Sequence, residues 1–139
     1  MKEHENVLVF YKKLPTYNPQ GLVLLETPIE QTRTNSDNYG SMNKGTVQLV
    51  TGYPTSVVAF PVESYKGQHP TQKPVALFEY LIKTYTNEGE TVLDNCMGSG
   101  TTGVACVNTN RNFIGFELDE GYYNLAQDRI KNHEQQMQL

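Results

Sequence analysis

The sequence predicts an α/β fold built on a parallel sheet, with a ligand pocket at one edge of that sheet. Three observations support this fold class. A helical pattern begins near Pro74, a short apolar segment ending in Asp94 leads into a glycine-rich turn, and a second apolar segment ends in Glu117. Strands that alternate with helices form parallel sheets, and ligands bind at the carboxyl ends of their strands.

The first 65 residues carry few regular patterns. A β-branched and aromatic run at residues 7–11 predicts a buried strand, and residues 17–21 predict a turn. Residues 32–45 are rich in Thr, Ser, Asn and Gly, which is typical of a long polar loop. Residues 57–62 predict a further strand, which Pro61 weakens.

From residue 70 the pattern becomes regular. Pro74 suits the first turn of a helix, which residues 87–89 end. Residues 91–93 predict a strand, residues 101–107 the helix after the turn, and residues 113–116 the next strand. The first helix has an apolar face of Leu77, Phe78, Leu81, Ile82 and Tyr85, and a final helix faces the sheet with Tyr122, Tyr123, Ala126 and Ile130.

The length of 139 residues predicts a single domain. No apolar run approaches the ~18 residues of a membrane span, and the N-terminus lacks a signal-peptide pattern, so a soluble, cytoplasmic protein is expected. Cys96 and Cys106 suit a reducing compartment, and Cys106 is expected to be a small buried residue within a helix. The three histidines are scattered, so no metal site is predicted.

The net charge of −4 is unevenly distributed. Residues 1–86 carry +1, whereas residues 87–139 carry −5. A protein that binds nucleic acid needs a basic surface. Any polyanion must therefore be met by a local patch in the N-terminal half.

The glycine-rich turn satisfies the spacing G-x-G-x-x-G at Gly98, Gly100 and Gly103, a weak signal on its own. The alternative to a binding role is a tight strand-to-helix turn in which Gly103 allows close helix packing.

A dinucleotide would place its pyrophosphate at this turn, where Asp94 would repel it. A cationic ligand would be attracted by roughly 4 kcal/mol for a close pair. S-adenosylmethionine carries two cationic groups, and its ribose hydroxyls suit an acceptor such as Glu117, although either acid could instead be a helix cap or a solvated charge.

Three segments in a fixed order carry a family resemblance: His-Pro-Thr-Gln-Lys-Pro at 69–74, Asp-Asn-Cys-Met-Gly-Ser-Gly-Thr-Thr at 94–102 and Phe-Ile-Gly-Phe-Glu-Leu-Asp at 113–119. Together they resemble the C-terminal half of a DNA amino-methyltransferase. Their order resembles the permuted subgroup in which the catalytic motif precedes target recognition and the cofactor motifs come last. The resemblance is specific over residues 66–132 and extends to residues 3–20.

The resemblance implies a partial Rossmann-like S-adenosylmethionine-dependent methyltransferase fold with an irregular target-recognition insertion. Residues 1–139 would form a single partial domain. Within it, residues 1–20 would supply a strand and a turn of the sheet, residues 21–65 the target-recognition region, and residues 66–139 the cofactor-binding lobe.

The resemblance also implies where the cofactor is held. Residues 71–74 would line the methionine side, with Lys73 facing the carboxylate of the methyl donor. Asp94 and the turn would cradle the methionine and ribose, Glu117 would take the ribose hydroxyls, and Leu118 would border the adenine. The predicted cofactor contacts are Thr71, Gln72, Lys73, Pro74, Asp94, Cys96, Met97, Gly98, Ser99, Gly100, Thr101, Thr102, Glu117 and Leu118.

The sequence departs from the family in two ways. The family usually has Pro and Phe where this chain has Asn95 and Cys96, so a weaker pocket is expected. The family's catalytic element is an acid or amide followed by two prolines and an aromatic, and no two of the seven prolines here are adjacent. No catalytic residue is therefore predicted, and the chain resembles a methyltransferase without its front half, through truncation, a split gene or an artificial chain boundary.

The first functional hypothesis is a DNA methyltransferase part that binds S-adenosylmethionine and double-stranded DNA and is inactive alone. In the complete enzyme it would serve methyl transfer to the exocyclic amino group of a flipped adenine or cytosine. The alternatives are a split enzyme completed by a second chain, a non-catalytic regulatory or DNA-binding module, and a nucleotide-dependent oxidoreductase. An incomplete sheet would expose an apolar edge, so a homodimer or disorder of residues 1–65 is expected.

DNA contact is predicted in the N-terminal half, chiefly along residues 32–53. Basic and aromatic residues there suit phosphates and bases, although any one of the lysines could be ordinary solvated surface. The predicted DNA-binding residues are Lys12, Lys13, Arg33, Tyr39 and Lys44.

Overall fold

The computed structural model of the chain describes residues 4–31, 45–61 and 72–137. The described elements are β1 (Val23–Gln31), β2 (Thr46–Thr51), α1 (Val75–Tyr85), β3 (Thr91–Asp94), α2 (Thr101–Asn108), β4 (Asn112–Gly115) and α3 (Glu120–Met137). The chain divides into a larger unit, Met1–Asn18 with Phe60–Leu139, and a smaller unit, Pro19–Ala59. No helix in the described ranges is long and apolar enough to cross a membrane.

The smaller unit contains an antiparallel strand pair that the sequence analysis did not predict. β1 and β2 pair from Val23 opposite Thr51 to Gln31 opposite Thr46, with an irregularity between Leu24 and Ile29. Pro28 lies within that irregularity and has no N–H to donate to the partner strand. Both faces of the pair are largely exposed, so the sequence shows no alternation of apolar and polar residues. The sequence analysis assigned no strand to either stretch and placed both in an irregular target-recognition insertion.

Two predicted strands are absent. Residues 7–11 form no strand, and Leu8 and Phe10 are 71% and 86% exposed, so the prediction of a buried sheet strand there is wrong. Residues 57–61 likewise form no strand. In the described part of the chain, neither segment has a partner strand to accept its backbone hydrogen bonds, and an apolar run without a partner does not form a sheet.

The segment before residue 19 is held to the larger unit by Asn18. Its backbone N–H donates to the carbonyl of Thr84 at 2.7 Å. Its side-chain amide donates to the carbonyls of Lys83 at 3.2 Å and Thr86 at 3.1 Å. These carbonyls lie at the C-terminal end of α1, where no helical partners remain, so Asn18 caps that helix.

The regular elements predicted after residue 70 are confirmed. β3 and β4 are parallel, from Thr91 opposite Asn112 to Asp94 opposite Gly115, so the second strand begins and ends one residue earlier than predicted. α2 is the central helix and packs against α1, α3 and β4. One face of the strand pair meets the core, where Ile82, Ala105 and Cys106 pack with Val75, Phe78, Val92 and Phe113.

Cys106 behaves as the sequence analysis predicts. It is fully buried within α2, and burial raises the pKa of its thiol to about 11. The thiol is therefore protonated at neutral pH and packs as a small apolar side chain.

The opposite face of the β3–β4 pair has no covering layer within the described residues. Leu93, Ile114 and Phe116 alternate with the core-facing residues and are 61%, 48% and 56% exposed. We refer to these three side chains as the open sheet face.

Gly100 offers a test of how closely α3 packs on the turn. Its φ is +76°, and a Cβ there would lie 2.9 Å from the Cβ of Ala126 on α3. Gly89 has nearly the same backbone conformation, φ +78°, with nothing within 4 Å. Gly100→Ala is expected to lower the free energy of unfolding by about 2–4 kcal/mol, because both backbone strain and displacement of α3 contribute. Gly89→Ala adds backbone strain without a steric clash, so it should lower the free energy of unfolding by only about 1 kcal/mol. Urea denaturation followed by circular dichroism measures both, and equal losses would contradict close packing.

Candidate functional site

The glycine turn, residues 95–100, connects the carboxyl end of β3 to the start of α2 and is held by Asp94. One carboxylate oxygen of Asp94 accepts the backbone N–H of Cys96 at 3.1 Å. The other accepts the hydroxyl of Thr102, in the first turn of α2. The same side chain therefore fixes both ends of the turn. Each carboxylate oxygen has more than one acceptor site, so these bonds do not exhaust its capacity to meet a ligand.

Glu117 fastens the turn to the end of the second strand. Its carboxylate accepts the N–H of Gly98 at 2.8 Å through Oε2, and those of Leu118 at 2.9 Å and Asp119 at 3.0 Å through Oε1. These backbone donors, that of Asp119 foremost and that of Gly98 next, lower the pKa of Glu117 below its ordinary value. Glu117 is therefore a carboxylate at neutral pH.

Gln72 connects the turn to the segment before α1. Ser99 is 3% exposed, and its hydroxyl donates to the side-chain amide oxygen Oε1 of Gln72 at 2.6 Å. Neighbouring Lys73 pairs with Glu5 at 2.7 Å, with side chains 40% and 61% exposed. Such an exposed pair contributes little to stability, so the ammonium of Lys73 can exchange partners at small cost.

Arg129 of α3 reaches the same turn from the other side. Its Nη1 donates to the carbonyl of Ser99 at 3.1 Å and lies 3.3 Å from the Ser99 hydroxyl and 3.2 Å from that of Thr101. Sequence analysis did not single out this residue. The signal that could have found it is its position three residues after Ala126 and one before Ile130, on the face of α3 that packs on the turn.

The structure gathers most of the predicted cofactor residues around one cavity of about 360 Å³. This volume is within the range of small-molecule sites. Phe78, predicted only as a core residue of the first helix, also contributes to the wall. The predicted residues that line the cavity are Gln72, Lys73, Asp94, Cys96, Met97, Gly98, Ser99, Thr101, Thr102 and Glu117.

Four predicted residues are not part of that wall. Pro74 is the N-cap of α1, Gly100 is the N-cap of α2, and the side chain of Leu118 is fully exposed to solvent. Thr71 lies outside the described residues. A larger cavity of about 620 Å³ between β4 and α3 shares only Met97 with the predicted set. The smaller cavity is the candidate site because the carboxylates and the turn amides meet there.

Only two of the five predicted DNA-binding residues lie within the described ranges. Lys12 and Lys13 are exposed on the larger unit. Arg33, Tyr39 and Lys44 lie outside the described residues, as does most of the polar loop predicted at residues 32–45.

The wall of the cavity combines charged and hydroxyl groups. Two carboxylates, a neighbouring ammonium and several hydroxyls surround it, which suits a ligand with both cationic and hydroxyl groups. In the part of the chain that the structure describes, no group of three or more His, Cys, Asp or Glu side chains could hold a metal ion.

Comparison with known proteins identifies similar sequences. The family model of the DNA methylases (N6/N4 methyltransferases) matches residues 1–128. The Type II methyltransferase M.HpaI of Haemophilus parainfluenzae is 32% identical over 133 residues, which are 91% of this chain and 38% of that protein. The Type II methyltransferase M2.DpnII of Streptococcus pneumoniae is 44% identical over 70 residues, which are 50% of this chain and 26% of that protein. The chain thus spans between about a quarter and two fifths of the length of these curated relatives.

Among solved structures, the PvuII DNA methyltransferase (cytosine-N4-specific) has a similar fold. It is 19% identical, with a TM-score of 0.50, and the match covers 66% of this chain and 45% of that one. This likeness confirms the predicted fold class, a partial Rossmann-like methyltransferase fold.

Glu117 generates a pH-dependent prediction. A carboxyl group whose pKa is lower in the folded state stabilises that state above its unfolded pKa, and this contribution is lost as the pH falls through the folded value. Glu117→Gln is therefore expected to lower the free energy of unfolding at pH 7. The difference from wild type should shrink as the pH falls below 4.5, the ordinary pKa.

Denaturant titrations between pH 7 and pH 3 would measure this difference. Glu134→Gln, the same change at an exposed position near the end of α3, is the matched control and should have the smaller effect at pH 7. A Glu117→Gln difference that stays constant with pH would contradict the assignment.

Proposed function

The chain belongs to the DNA methylase family, and on that premise we propose that the cavity around the glycine turn binds S-adenosylmethionine. The observation that carries this proposal is the meeting of Asp94 and Glu117 at one turn. Both acids lie at the carboxyl ends of adjacent parallel strands, and both are bonded to backbone N–H groups of the turn. Such a site attracts a cation and accepts hydroxyl hydrogen bonds.

The groups of the methyl donor match the wall of the cavity. The sulfonium and ammonium are favoured by the carboxylate of Asp94, by roughly 4 kcal/mol for a close pair at the effective dielectric of a protein surface. Glu117 Oε2 accepts one backbone bond and has a further acceptor site for a ribose hydroxyl. Lys73 would exchange Glu5 for the donor's carboxylate, with Gln72 beside it. Leu118, exposed next to Glu117, would be covered by the adenine.

The reaction proposed for the complete enzyme is methyl transfer to the exocyclic amino group of adenine or cytosine in DNA. When bound, S-adenosylmethionine would supply its sulfonium methyl group: the N–CH3 bond forms as the S–CH3 bond breaks, the neutral thioether S-adenosylhomocysteine leaves, and the amino nitrogen gives up a proton. What the residues of this chain contribute is position, because an in-line displacement depends chiefly on the orientation of the reacting groups. The sequence contains no acid or amide followed by two prolines, so we propose that residues 1–139 alone do not catalyse transfer.

We propose that the open sheet face receives the polypeptide that carries this missing catalytic element. Leu93, Ile114 and Phe116 are apolar, adjacent and about half exposed or more, and such a surface is stabilised by a covering layer. The element would lie either in a longer form of the same polypeptide or on a second chain, as in a split enzyme of the permuted subgroup. A second copy of this chain is the alternative occupant.

We also propose that the N-terminal half contacts double-stranded DNA. All but the first two residues of the smaller unit fall within the predicted target-recognition region, residues 21–65, and Lys12 and Lys13 are exposed on the larger unit. An exposed free Cys96 is in keeping with a reducing, cytoplasmic location. A non-catalytic module that binds cofactor or DNA is the alternative function.

Calorimetric titration tests the cofactor proposal. The chain is expected to bind S-adenosylmethionine and S-adenosylhomocysteine with a stoichiometry of about one, and NAD weakly or not at all, because Asp94 repels a pyrophosphate. Asp94→Asn should weaken S-adenosylmethionine by about tenfold and S-adenosylhomocysteine less, because only the former carries the sulfonium charge.

Asp128→Asn, on α3 and outside the wall of the cavity, is the control and should leave both affinities unchanged. Preference for NAD would support the oxidoreductase alternative. If Asp94→Asn lowered the affinities for S-adenosylmethionine and S-adenosylhomocysteine equally, the role given to the charge of Asp94 would be contradicted.

The DNA proposal is tested by salt dependence. Replacing both Lys12 and Lys13 by Ala should lower affinity for duplex DNA and reduce the slope of log K against log salt by roughly 1–2, since each phosphate contact contributes about 0.9. Filter binding or fluorescence anisotropy at several salt concentrations measures this slope. Lys131→Ala on α3 is the matched control, and an equal effect there would contradict a local DNA patch.

A further inference from the structure

We propose that Arg129 is a positioning residue of the cavity, which holds the Ser99 end of the glycine turn so that Ser99 and Gln72 form one wall on the methionine side. This inference rests on the proposed function for its ligand, but its geometric part stands on the ligand-free structure. Arg129 is half-buried, and its Nη1 contacts the carbonyl and hydroxyl of Ser99 and the hydroxyl of Thr101 within 3.1–3.3 Å.

Arg129 places a positive charge close to the N-terminus of α2. Positive charge is disfavoured at the N-terminus of a helix, where the backbone dipole is itself positive. Arg129 nevertheless lies beside Thr101, the first residue of α2. The carbonyl oxygen of Ser99 offsets this cost by accepting a charge-assisted hydrogen bond. The guanidinium therefore stabilises the turn through hydrogen bonds and gains no stabilisation from the dipole of α2.

The direction of the hydrogen bonds sets the shape of the wall. A serine hydroxyl has one hydrogen to donate and two acceptor sites. Arg129 has only hydrogens to donate, so it occupies an acceptor site of the Ser99 hydroxyl. The single hydroxyl hydrogen of Ser99 is then donated to the side-chain oxygen Oε1 of Gln72, at 2.6 Å. The chain from Arg129 through Ser99 to Gln72 thus joins three segments that are distant in sequence.

The two neighbours in the turn have different partners. Gly98 donates to Glu117, on the side proposed for the ribose, whereas Ser99 is bonded to Gln72, on the side proposed for methionine. Arg129 bonds the Ser99 end. Its loss should therefore impair recognition of the amino-acid part of the ligand and spare the nucleoside part.

Calorimetry with two ligands tests this division. S-adenosylhomocysteine has the amino-acid part, and 5′-methylthioadenosine lacks it. Arg129→Met is expected to weaken S-adenosylhomocysteine by about tenfold and 5′-methylthioadenosine by less than about twofold. Because one nitrogen makes all three contacts, Arg129→Lys should restore S-adenosylhomocysteine affinity to within about threefold of wild type. Lys131→Met, which removes a charge from the same helix away from the turn, should change neither affinity.

Equal weakening of both ligands would overturn the proposal, because it would show a general loss of structure. The proposal would also be overturned if Arg129→Met weakened the binding of neither ligand, or if Arg129→Lys did not restore the affinity for S-adenosylhomocysteine.

A second measurement needs no ligand. The backbone N–H of Gly100 donates to the carbonyl of Met97, and that of Met97 donates to the carbonyl of Phe116, each at 2.9 Å. If Arg129 holds the Ser99 end, Arg129→Met should speed hydrogen exchange at the Gly100 amide by about tenfold and leave the Met97 amide unchanged. Unchanged exchange at Gly100 would overturn the positioning role. Absence of ligand binding by the wild-type chain, with the exchange result as expected, would instead overturn the proposed function.

Discussion

The carboxylate of Asp94 is the constraint on which the larger unit depends. It ends β3 and accepts hydrogen bonds from Cys96 and Thr102, so strand, turn and helix are fixed by one side chain. Because the turn is held in this way, the backbone N–H of Gly98 donates to Glu117, and the buried start of α2 is set against the core. The acidity of the turn is thus part of its architecture, independently of any ligand.

Stability and the shape of the cavity are coupled at this turn because they depend on the same close contacts. Gly100 and Gly103 allow α3 to approach α2, because a Cβ at Gly100 would come within 3 Å of Ala126 and one at Gly103 within 3 Å of Ile130. The same approach brings Arg129 to Ser99. A substitution that moves α3 therefore changes the wall of the cavity even where it contacts no ligand, which is expected in a close-packed interior.

The part of the fold that could be predicted from the sequence is the part with strong local signals. Glycines after a short strand, an acid at the strand end and apolar residues at helical spacing predicted β3, α2, β4 and α3. The β1–β2 pair was missed because both of its faces are exposed and show no alternation. Residues 7–11 were wrongly predicted as a buried strand, since burial depends on a partner that a local pattern does not reveal. Arg129 was missed because its bonds to Ser99 span 30 residues of sequence.

One of the two cysteines is exposed and the other is buried, so the molecule has a single thiol that labelling reagents can reach. Cys106 is fully buried, with its pKa raised to about 11, so it is neither accessible nor present as the reactive thiolate at neutral pH. Cys96 is exposed and borders the cavity beside Asp94. A fluorophore or spin label attached through thiol chemistry would therefore report from the rim of this cavity alone, without any cysteine having to be removed.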